Sequence, residues 1–168
     1  MQRTVLIVDD EKSICQSLGS ILTDEGYEVL TAASGEEALK IIKEELPSLV
    51  ILDIWLPGID GIETLKMIKS QYPQIRVIMI SGHGTIETAV RATKLGAFDF
   101  IEKPLSLEKI LISVANALQL QELKLENARL KEKREDIQWV AKSEFDELKK
   151  VFAAKEQELL SFRRKPES

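Results

Sequence analysis

The sequence of 168 residues is poor in several residue types, and each shortage excludes a class of protein. It has a single cysteine, Cys15, so no disulfide can form within the chain. No stretch approaches the roughly 18 consecutive apolar residues of a membrane span. The first ten residues contain too short an apolar run for a secretory signal. We therefore expect a cytoplasmic protein with no membrane partner.

Excess positive charge is also missing. The formal net charge is −5. Residues 1–118 contain 11 Lys and Arg against 17 Asp and Glu, whereas residues 119–168 contain 12 against 11. The first part is thus an acidic globule and the second a dense mixture of both signs. Neither composition gives a reason to expect direct binding of nucleic acid.

Glycine and proline are absent from Leu105 to Lys165, a run of 61 residues. Good helix formers dominate this run, which predicts a helical extension over residues 121–168. A seam at heptad spacing comprises Leu120, Leu123, Asn127, Leu130, Arg134 and Ile137. Leucine at the d-like positions with asparagine at an a-like position is typical of a two-stranded coiled coil. A homodimer through this seam and the helix before it is therefore expected.

Two alternatives remain for this extension: a solvated single helix or a disordered end, because dense charge is usually just solvated. Beyond the seam, Phe145, Leu148, Phe152 and Leu159 recur at roughly helical spacing. The role of residues 136–168 stays open.

Before this extension, short β-branched runs alternate with helical patterns. The runs cover residues 5–8, 28–31, 49–52, 75–80 and 98–101. The helical patterns cover residues 13–25, 35–46, 61–72 and 85–95, and a fifth helix starts near Ser106. Such alternation predicts an α/β fold with a doubly wound, five-stranded parallel sheet of the flavodoxin-like class, (βα)5, followed by the long helical extension.

Several polar residues follow the predicted strands. Asp9 and Asp10 end the first strand, Asp53 the third, Ser81 the fourth and Lys103 the fifth. In an open parallel sheet, functional groups gather at the carboxyl ends of the strands. Three adjacent carboxylates repel one another, and their oxygens suit Mg²⁺. With a lysine and a hydroxyl nearby, the set predicts a site for a phosphoryl group in which one carboxylate can act as nucleophile.

Four motifs carry a family resemblance. In order, they read T-V-L-I-V-D-D-E, V-I-L-D-I-W-L-P-G-I-D-G, V-I-M-I-S-G-H-G and F-D-F-I-E-K-P. Together they resemble the receiver domain of bacterial two-component response regulators over residues 1–120. The residues in and around the last two motifs are most similar to those of receivers of NtrC-like transcriptional activators.

The resemblance implies a role for each matching residue. Asp53 would accept a phosphoryl group from a sensor histidine kinase. Asp10 would bind Mg²⁺ directly, Asp9 directly or through water, and the backbone carbonyl of Trp55 would be a further ligand beside Asp53. The domain would be a signalling module rather than an enzyme, with at most weak self-catalysed phosphotransfer and autodephosphorylation.

The resemblance also implies a conformational switch. Ser81 would turn inward to bond the phosphoryl group, Lys103 would pair with it, and Phe100 would follow Ser81. A cis peptide before Pro104 is often found in this family. The switch would alter dimerisation and a downstream output related to transcription. However, the chain lacks the G-x-x-x-x-G-K-[ST] phosphate loop of the family's ATPase, so we expect no direct transcriptional output from this chain alone.

Simpler interpretations stand beside these. Asp9 and Asp10 could cap the following helix, Phe100 could be plain packing, and His83 is more simply a loop residue than a modulator of hydrolysis. Asp60 is expected to shape its loop rather than bind metal. A phosphohydrolase and a constitutive coiled-coil adaptor are the rival functions, although the D-x-D of such hydrolases is missing from the first strand.

Overall fold

The computed structural model describes residues 3–164, in which five strands alternate with five helices. The strands are β1 (Thr4–Val8), β2 (Glu28–Ala32), β3 (Leu49–Asp53), β4 (Arg76–Ser81) and β5 (Asp99–Glu102). The helices are α1 (Lys12–Asp24), α2 (Gly35–Glu45), α3 (Gly61–Gln71), α4 (Ile86–Lys94) and α5 (Leu107–Arg163).

The strands form one parallel sheet in the order β2-β1-β3-β4-β5. This is the order of flavodoxin-like doubly wound sheets, so the predicted fold class is confirmed. The chain moves from β1 outward to β2 and then returns to β3 on the other side of β1. Ligands of such sheets bind outside the carboxyl ends of the strands, at the point where the order reverses.

Successive side chains of each strand point to opposite faces of the sheet, and each face carries its own core. Leu6 and Val50 face the core that α2, α3 and α4 cover. Ile7 and Ile51 face the core that α1 and the buried positions of α5 cover, between Ile110 and Leu118. The runs Val5–Val8 of β1 and Leu49–Leu52 of β3 are apolar and buried on both faces, as expected for central parallel strands.

Seven of the ten predicted strand boundaries differ from the structure by one residue. The apolar run suggested a fourth strand beginning at Ile75, but Ile75 is buried in the turn, where its N–H donates to the carbonyl of Tyr72. β4 ends at Ser81 and β5 at Glu102 instead of one residue earlier. Sheet pairing therefore includes Ser81, which is opposite Glu102.

The turn after β3 is defined by Asp60 and Gly61. Asp60 is the N-cap of α3, and its Oδ1 accepts a hydrogen bond from the N–H of Glu63 at 2.8 Å. This confirms the loop-shaping interpretation of Asp60. A Cβ on Gly61 would lie 2.1 Å from the carbonyl oxygen of Asp53 and 2.6 Å from Cα of Ile54. Only glycine fits there without a shift of the backbone that carries Asp53.

The contacts divide the chain into two units, Met1–Glu122 and Leu123–Ser168. α5 contributes Ile110, Val114 and Ala117 to the core of the first unit. In the second unit, every described residue is exposed to solvent. Among the described residues, no helix is long and apolar enough to cross a membrane.

Candidate functional site

The polar residues predicted at the sheet edge lie at the carboxyl ends of four neighbouring elements. Asp9 and Asp10 directly follow β1, Asp53 and Ser81 are the last residues of β3 and β4, and Lys103 directly follows β5. The N-cap of α1 is Glu11, whose own side chain makes no cap bond, and Oδ1 of Asp9 accepts a hydrogen bond from the N–H of Glu11 at 2.9 Å. The capping alternative thus applies to one oxygen of Asp9, whose other oxygen contacts Lys103.

The three aspartates form a tight cluster. One carboxylate oxygen from each of Asp9, Asp10 and Asp53 lies within 4.8 Å of the others. Asp9 and Asp53 are 2% and 3% exposed, whereas Asp10 is exposed. Oδ1 of Asp53 is buried and has no hydrogen-bond partner in the structure. A buried carboxylate oxygen normally has a partner, so this atom is available to a ligand.

Lys103 supplies the positive charge at this cluster. Its Nζ lies 3.0 Å from Oδ2 of Asp9, 3.4 Å from Oδ2 of Asp53 and 3.6 Å from Oε1 of Glu11. The peptide bond between Lys103 and Pro104 is cis, as the family resemblance implied. One ammonium group is thus shared among three carboxylates, which leaves the cluster with an excess of negative charge.

The acidic surroundings change the ionisation of both partners. Burial, followed by the nearby charge of Asp9, raises the pKa of Asp53, although Lys103 opposes this. Burial alone would lower the pKa of Lys103, but the carboxylates of Asp9, Asp53 and Glu11 together outweigh it and raise that pKa. The charged lysine is therefore strongly favoured, and Asp53 is a more basic carboxylate than usual.

Ser81 and Phe100 lie beside the cluster. Ser81 is fully buried, and its Oγ accepts a hydrogen bond from the N–H of His83 at 3.2 Å. His83 itself is an exposed loop residue. Phe100 is half-buried and packs against the core under α4; a Cβ on Gly84 would lie 2.7 Å from its ring. Ser81 at the end of β4 thus contacts the loop that follows it, and there is little free space between that loop and the ring of Phe100.

The cluster fits a divalent cation of the Mg²⁺ type. Its donors are all oxygens, two of them come from buried carboxylates, and one buried oxygen lacks a partner. An ion there would relieve the repulsion among three carboxylates that a single lysine leaves unbalanced.

Comparison with known proteins identifies the family to which this fold belongs. Residues 5–115 match the family described as the response regulator receiver domain. The chain belongs to this family. Receiver domains of response regulators are signalling domains, in agreement with the resemblance of the four motifs.

Relatives of this receiver include NtrX-like response regulators. An NtrX-like response regulator of Rickettsia typhi is 53% identical over 134 residues, which is 79% of this chain and 28% of that protein. The chain therefore spans less than a third of the length of this curated relative.

Solved receiver structures agree with the fold. The receiver domain of NtrX from Brucella abortus is 48% identical, with a TM-score of 0.66 over 68% of this chain and 98% of that one. The beryllofluoride-activated NtrC4 receiver domain, described as a dimer, is 45% identical, with a TM-score of 0.68 over 70% of this chain and 98% of that one.

Two carboxylates of this receiver escaped the sequence analysis. Glu11 was given no role but contacts Lys103. Glu36, at the start of α2, accepts a hydrogen bond through Oε1 from the N–H of Ile59 at 2.9 Å, which lowers its pKa. This bond ties α2 to the loop that follows Asp53. That loop includes Trp55, whose side chain is 62% exposed.

Proposed function

We propose that residues 1–120 form a receiver domain that accepts a phosphoryl group on Asp53 from a sensor histidine kinase. The observation that supports this most is Oδ1 of Asp53, a buried oxygen without a partner. It lies at an acidic edge whose single lysine already contacts the other oxygen of the same carboxylate. The remaining residues, 121–168, are proposed to form the helical extension; residues 165–168 of this range lie outside the described part of the chain.

In this reaction, the carboxylate oxygen of Asp53 attacks the phosphorus of a phosphohistidine. A P–O bond forms as the P–N bond breaks, and the imidazole of the kinase leaves. Charge on the transferred oxygens is met by the ammonium of Lys103 and by the hydroxyl of Ser81, which can donate once it turns inward. Burial raises the pKa of Asp53, and a bound Mg²⁺ would oppose this by favouring the ionised, nucleophilic carboxylate.

The residues proposed to hold Mg²⁺ are Asp9, Asp10 and Asp53, with the backbone carbonyl of Trp55. When bound, the ion supplies neutralisation of the phosphoryl charge and of the carboxylates around it. The attacking oxygen is held in place because Asp53 is buried at the end of the central strand β3, beside the buried Asp9.

A phosphoryl group on Asp53 changes the local balance of charge. Lys103, already shared among three carboxylates, gains a further anionic partner, and Ser81 exchanges its contact with the N–H of His83 for the phosphoryl oxygen. The loop after β4 then moves, and Phe100 follows it, because the ring packs against Gly84 in that loop. A local charge event is thereby converted into a change of surface.

The output proposed for this change is a shift in dimerisation. A second copy would pair through α5, using Leu120, Leu123, Asn127, Leu130 and Ile137, four of them large apolar residues that are exposed in this chain. The name of the NtrC4 structure describes a receiver dimer, which supports this mode of action. A transcription-related target in the cytoplasm is the proposed destination of the signal.

The test uses small phosphodonors. The wild-type protein is incubated with acetyl phosphate, or with beryllofluoride, in the presence of Mg²⁺, and labelling and the fluorescence of Trp55 in a Trp139→Phe background are followed. We expect one phosphoryl group per chain, lost in Asp53→Asn. Labelling that persists in Asp53→Asn would refute the assignment.

The rival functions have distinct outcomes in the same assay. Multiple turnovers of a small phosphate ester would indicate a phosphohydrolase. Equal dimerisation of wild type and Asp53→Asn under phosphorylating conditions would indicate a constitutive adaptor.

A further inference from the structure

The second unit has apolar residues that nothing within it buries. Every described residue from Leu123 to Arg164 is exposed, including Leu130 at 51% and Phe152 at 67%. Most helical stability in proteins comes from packing an apolar face rather than from helix propensity. A helix of this length with such a stripe therefore requires a covering surface.

The stripe consists of two heptad seams with a step between them. The first seam includes Leu123, Asn127, Leu130, Arg134 and Ile137, with spacings of four and three residues in alternation. The second includes Ala141, Phe145, Leu148, Phe152, Lys155 and Leu159, with the same alternation. From Ile137 to Ala141 and from Ala141 to Phe145 the spacing is four both times. Relative to unbroken heptads this is a four-residue insertion, a stutter, which locally unwinds a coiled coil.

The charges beside the seams indicate what covers them. In a parallel, in-register pair, a residue at position g faces the residue five places later, at position e, of the second copy. Three such pairs are attractive: Glu126 with Lys131, Glu144 with Lys149, and Glu158 with Arg163. In the other two pairs, Lys133 with Gln138 and Val151 with Glu156, one member is uncharged. No pair of this set joins like charges.

An antiparallel pair would be opposed by the same residues. It places e positions against e positions and g positions against g positions. The e positions include Lys124, Lys131, Lys142, Lys149 and Arg163, and the g positions include Glu126, Glu144 and Glu158. The other e positions are Gln138 and Glu156, and the other g positions are Lys133, Val140 and Val151. Like charges would therefore face each other along most of the basic e edge and at the three glutamates of the g edge. Charges at e and g set the orientation of coiled coils, so this pattern favours a second copy in parallel.

We propose that residues 141–163 form a second parallel two-stranded coiled-coil segment with the same residues of a second copy, joined to the seam of Leu123–Ile137 by a stutter at Ala141. The proposal rests on the dimer proposed above and extends it beyond the residues on which that dimer was argued. The tail would then be two coiled-coil segments with a locally unwound joint, rather than one coil with a solvated end.

Disulfide cross-linking of the full chain tests the pairing. In a Cys15→Ala background, cysteine replaces Leu130 (first seam), Leu148 (second seam) or Lys150, which lies on the outer face. We expect Leu130→Cys and Leu148→Cys to cross-link efficiently under mild oxidation, and Lys150→Cys to cross-link weakly. Cross-linking at Leu130→Cys alone would overturn the second segment and leave the dimer standing. Failure at both positions would refute the dimer and the proposal together.

A charge-swap cycle tests the orientation. Glu144→Lys and Lys149→Glu each create two repulsive contacts in the parallel pair, whereas the double variant restores attraction. We expect about a three- to tenfold rise in the dimer dissociation constant for each single variant, measured by sedimentation, and recovery in the double variant. Additive weakening in the double variant would contradict the parallel arrangement.

Insertions between Val140 and Ala141 test the stutter. Three alanines convert the step into unbroken heptads, whereas two alanines rotate the second seam away from the first. We expect cross-linking at Leu148→Cys to survive the three-residue insertion and to fall sharply with the two-residue insertion. Equal cross-linking in both would overturn a shared seam.

Discussion

The two units of this chain use charge in opposite ways. In the first, charges converge: Nζ of Lys103 lies within 3.6 Å of three carboxylates, two of them almost fully buried. In the second, charges are spread along an exposed helix, and the ion pairs join neighbours three residues apart. These pairs are Glu126–Arg129, Glu147–Lys150 and Lys155–Glu158.

The physical consequences differ accordingly. Exposed pairs one helical turn apart contribute little to stability, typically ~0.3–0.5 kcal/mol each, so they do not explain an ordered tail. In the buried cluster, the carboxylates repel one another because their negative charge exceeds the charge of Lys103. This excess of negative charge is the basis of the function proposed for the site. The first unit is complete as a folding unit because it has a core on both sides of its sheet. Between Leu123 and Arg164, the described part of the second unit, apolar residues are present but none is buried in a core.

The largest expected effect contrasts the two units directly. Leu65 is fully buried in α3, whereas Leu130 is 51% exposed. We expect Leu65→Ala to lower the free energy of unfolding of the first unit by about 2–5 kcal/mol, from lost burial and the cavity left behind. Leu130→Ala should leave that value unchanged and weaken only dimerisation. Urea unfolding followed by circular dichroism and sedimentation provides both measurements; an equal loss of unfolding free energy would contradict the division.

A second effect concerns Gly61, where an added Cβ would meet the backbone of Asp53. Gly61→Ala forces a Cβ against the backbone of β3, so we expect a destabilisation of about 1–3 kcal/mol, as for overpacking, together with slower phosphorylation. Gly19→Ala is the matched control, because the nearest atom to its Cβ is a side-chain carbon 3.6 Å away. Because alanine has a higher helix propensity than glycine, Gly19→Ala in α1 should raise the free energy of unfolding by about 0.5–1 kcal/mol. Similar results for the two variants would show that the backbone around Gly61 shifts readily enough to accommodate a Cβ.

In the tail, Asn127→Leu sharpens the role of the first seam. Removing a polar residue from an a position should tighten association and allow higher oligomers, because asparagine there specifies two strands at a cost in stability. Sedimentation equilibrium measures the change. An unaltered oligomeric state would favour a solvated single helix for that part of the tail.

Near the acceptor, Trp55 is a candidate shield against water. Its large side chain lies two residues after Asp53 and is 62% exposed. We expect Trp55→Ala to lose the phosphoryl group severalfold faster, since the attacking water gains access. Trp139→Ala, in the tail, should have no effect. An unchanged or slower rate in Trp55→Ala would refute the shielding role.

The smallest effect is a pH dependence confined to one loop. The Glu36 carboxylate accepts the Ile59 N–H bond, and its pKa is lowered in the folded protein. A lowered folded pKa means that the tether is fully present above the unfolded pKa and is lost as pH falls through the folded value. The amide signal of Ile59 in NMR should titrate below the usual glutamate range. Glu36→Gln should abolish this titration; its persistence would assign it to another group.

Much of the fold was predictable because its signals are local. Alternating apolar periods identify the five strands, and the rule for carboxyl ends brings Asp53, Ser81 and Lys103 to one edge. The unequal burial of Asp9 and Asp10 was not predicted, although both directly follow β1. The roles of Glu11 and Glu36 were missed because they depend on tertiary contacts; Glu36 and Ile59 are 23 residues apart. No local pattern distinguishes such a carboxylate from a solvated one.

The sheet separates the two cores, and this has a consequence for combined substitutions. Leu65 lies in the core on one side and Leu18 in the core on the other. Residues without shared partners have nearly additive effects on stability, whereas packed neighbours are coupled. A cavity made under α3 can therefore be compensated by a larger side chain on the same side, but not by one under α1. The sheet separates the two cores, and each core therefore tolerates substitutions independently of the other.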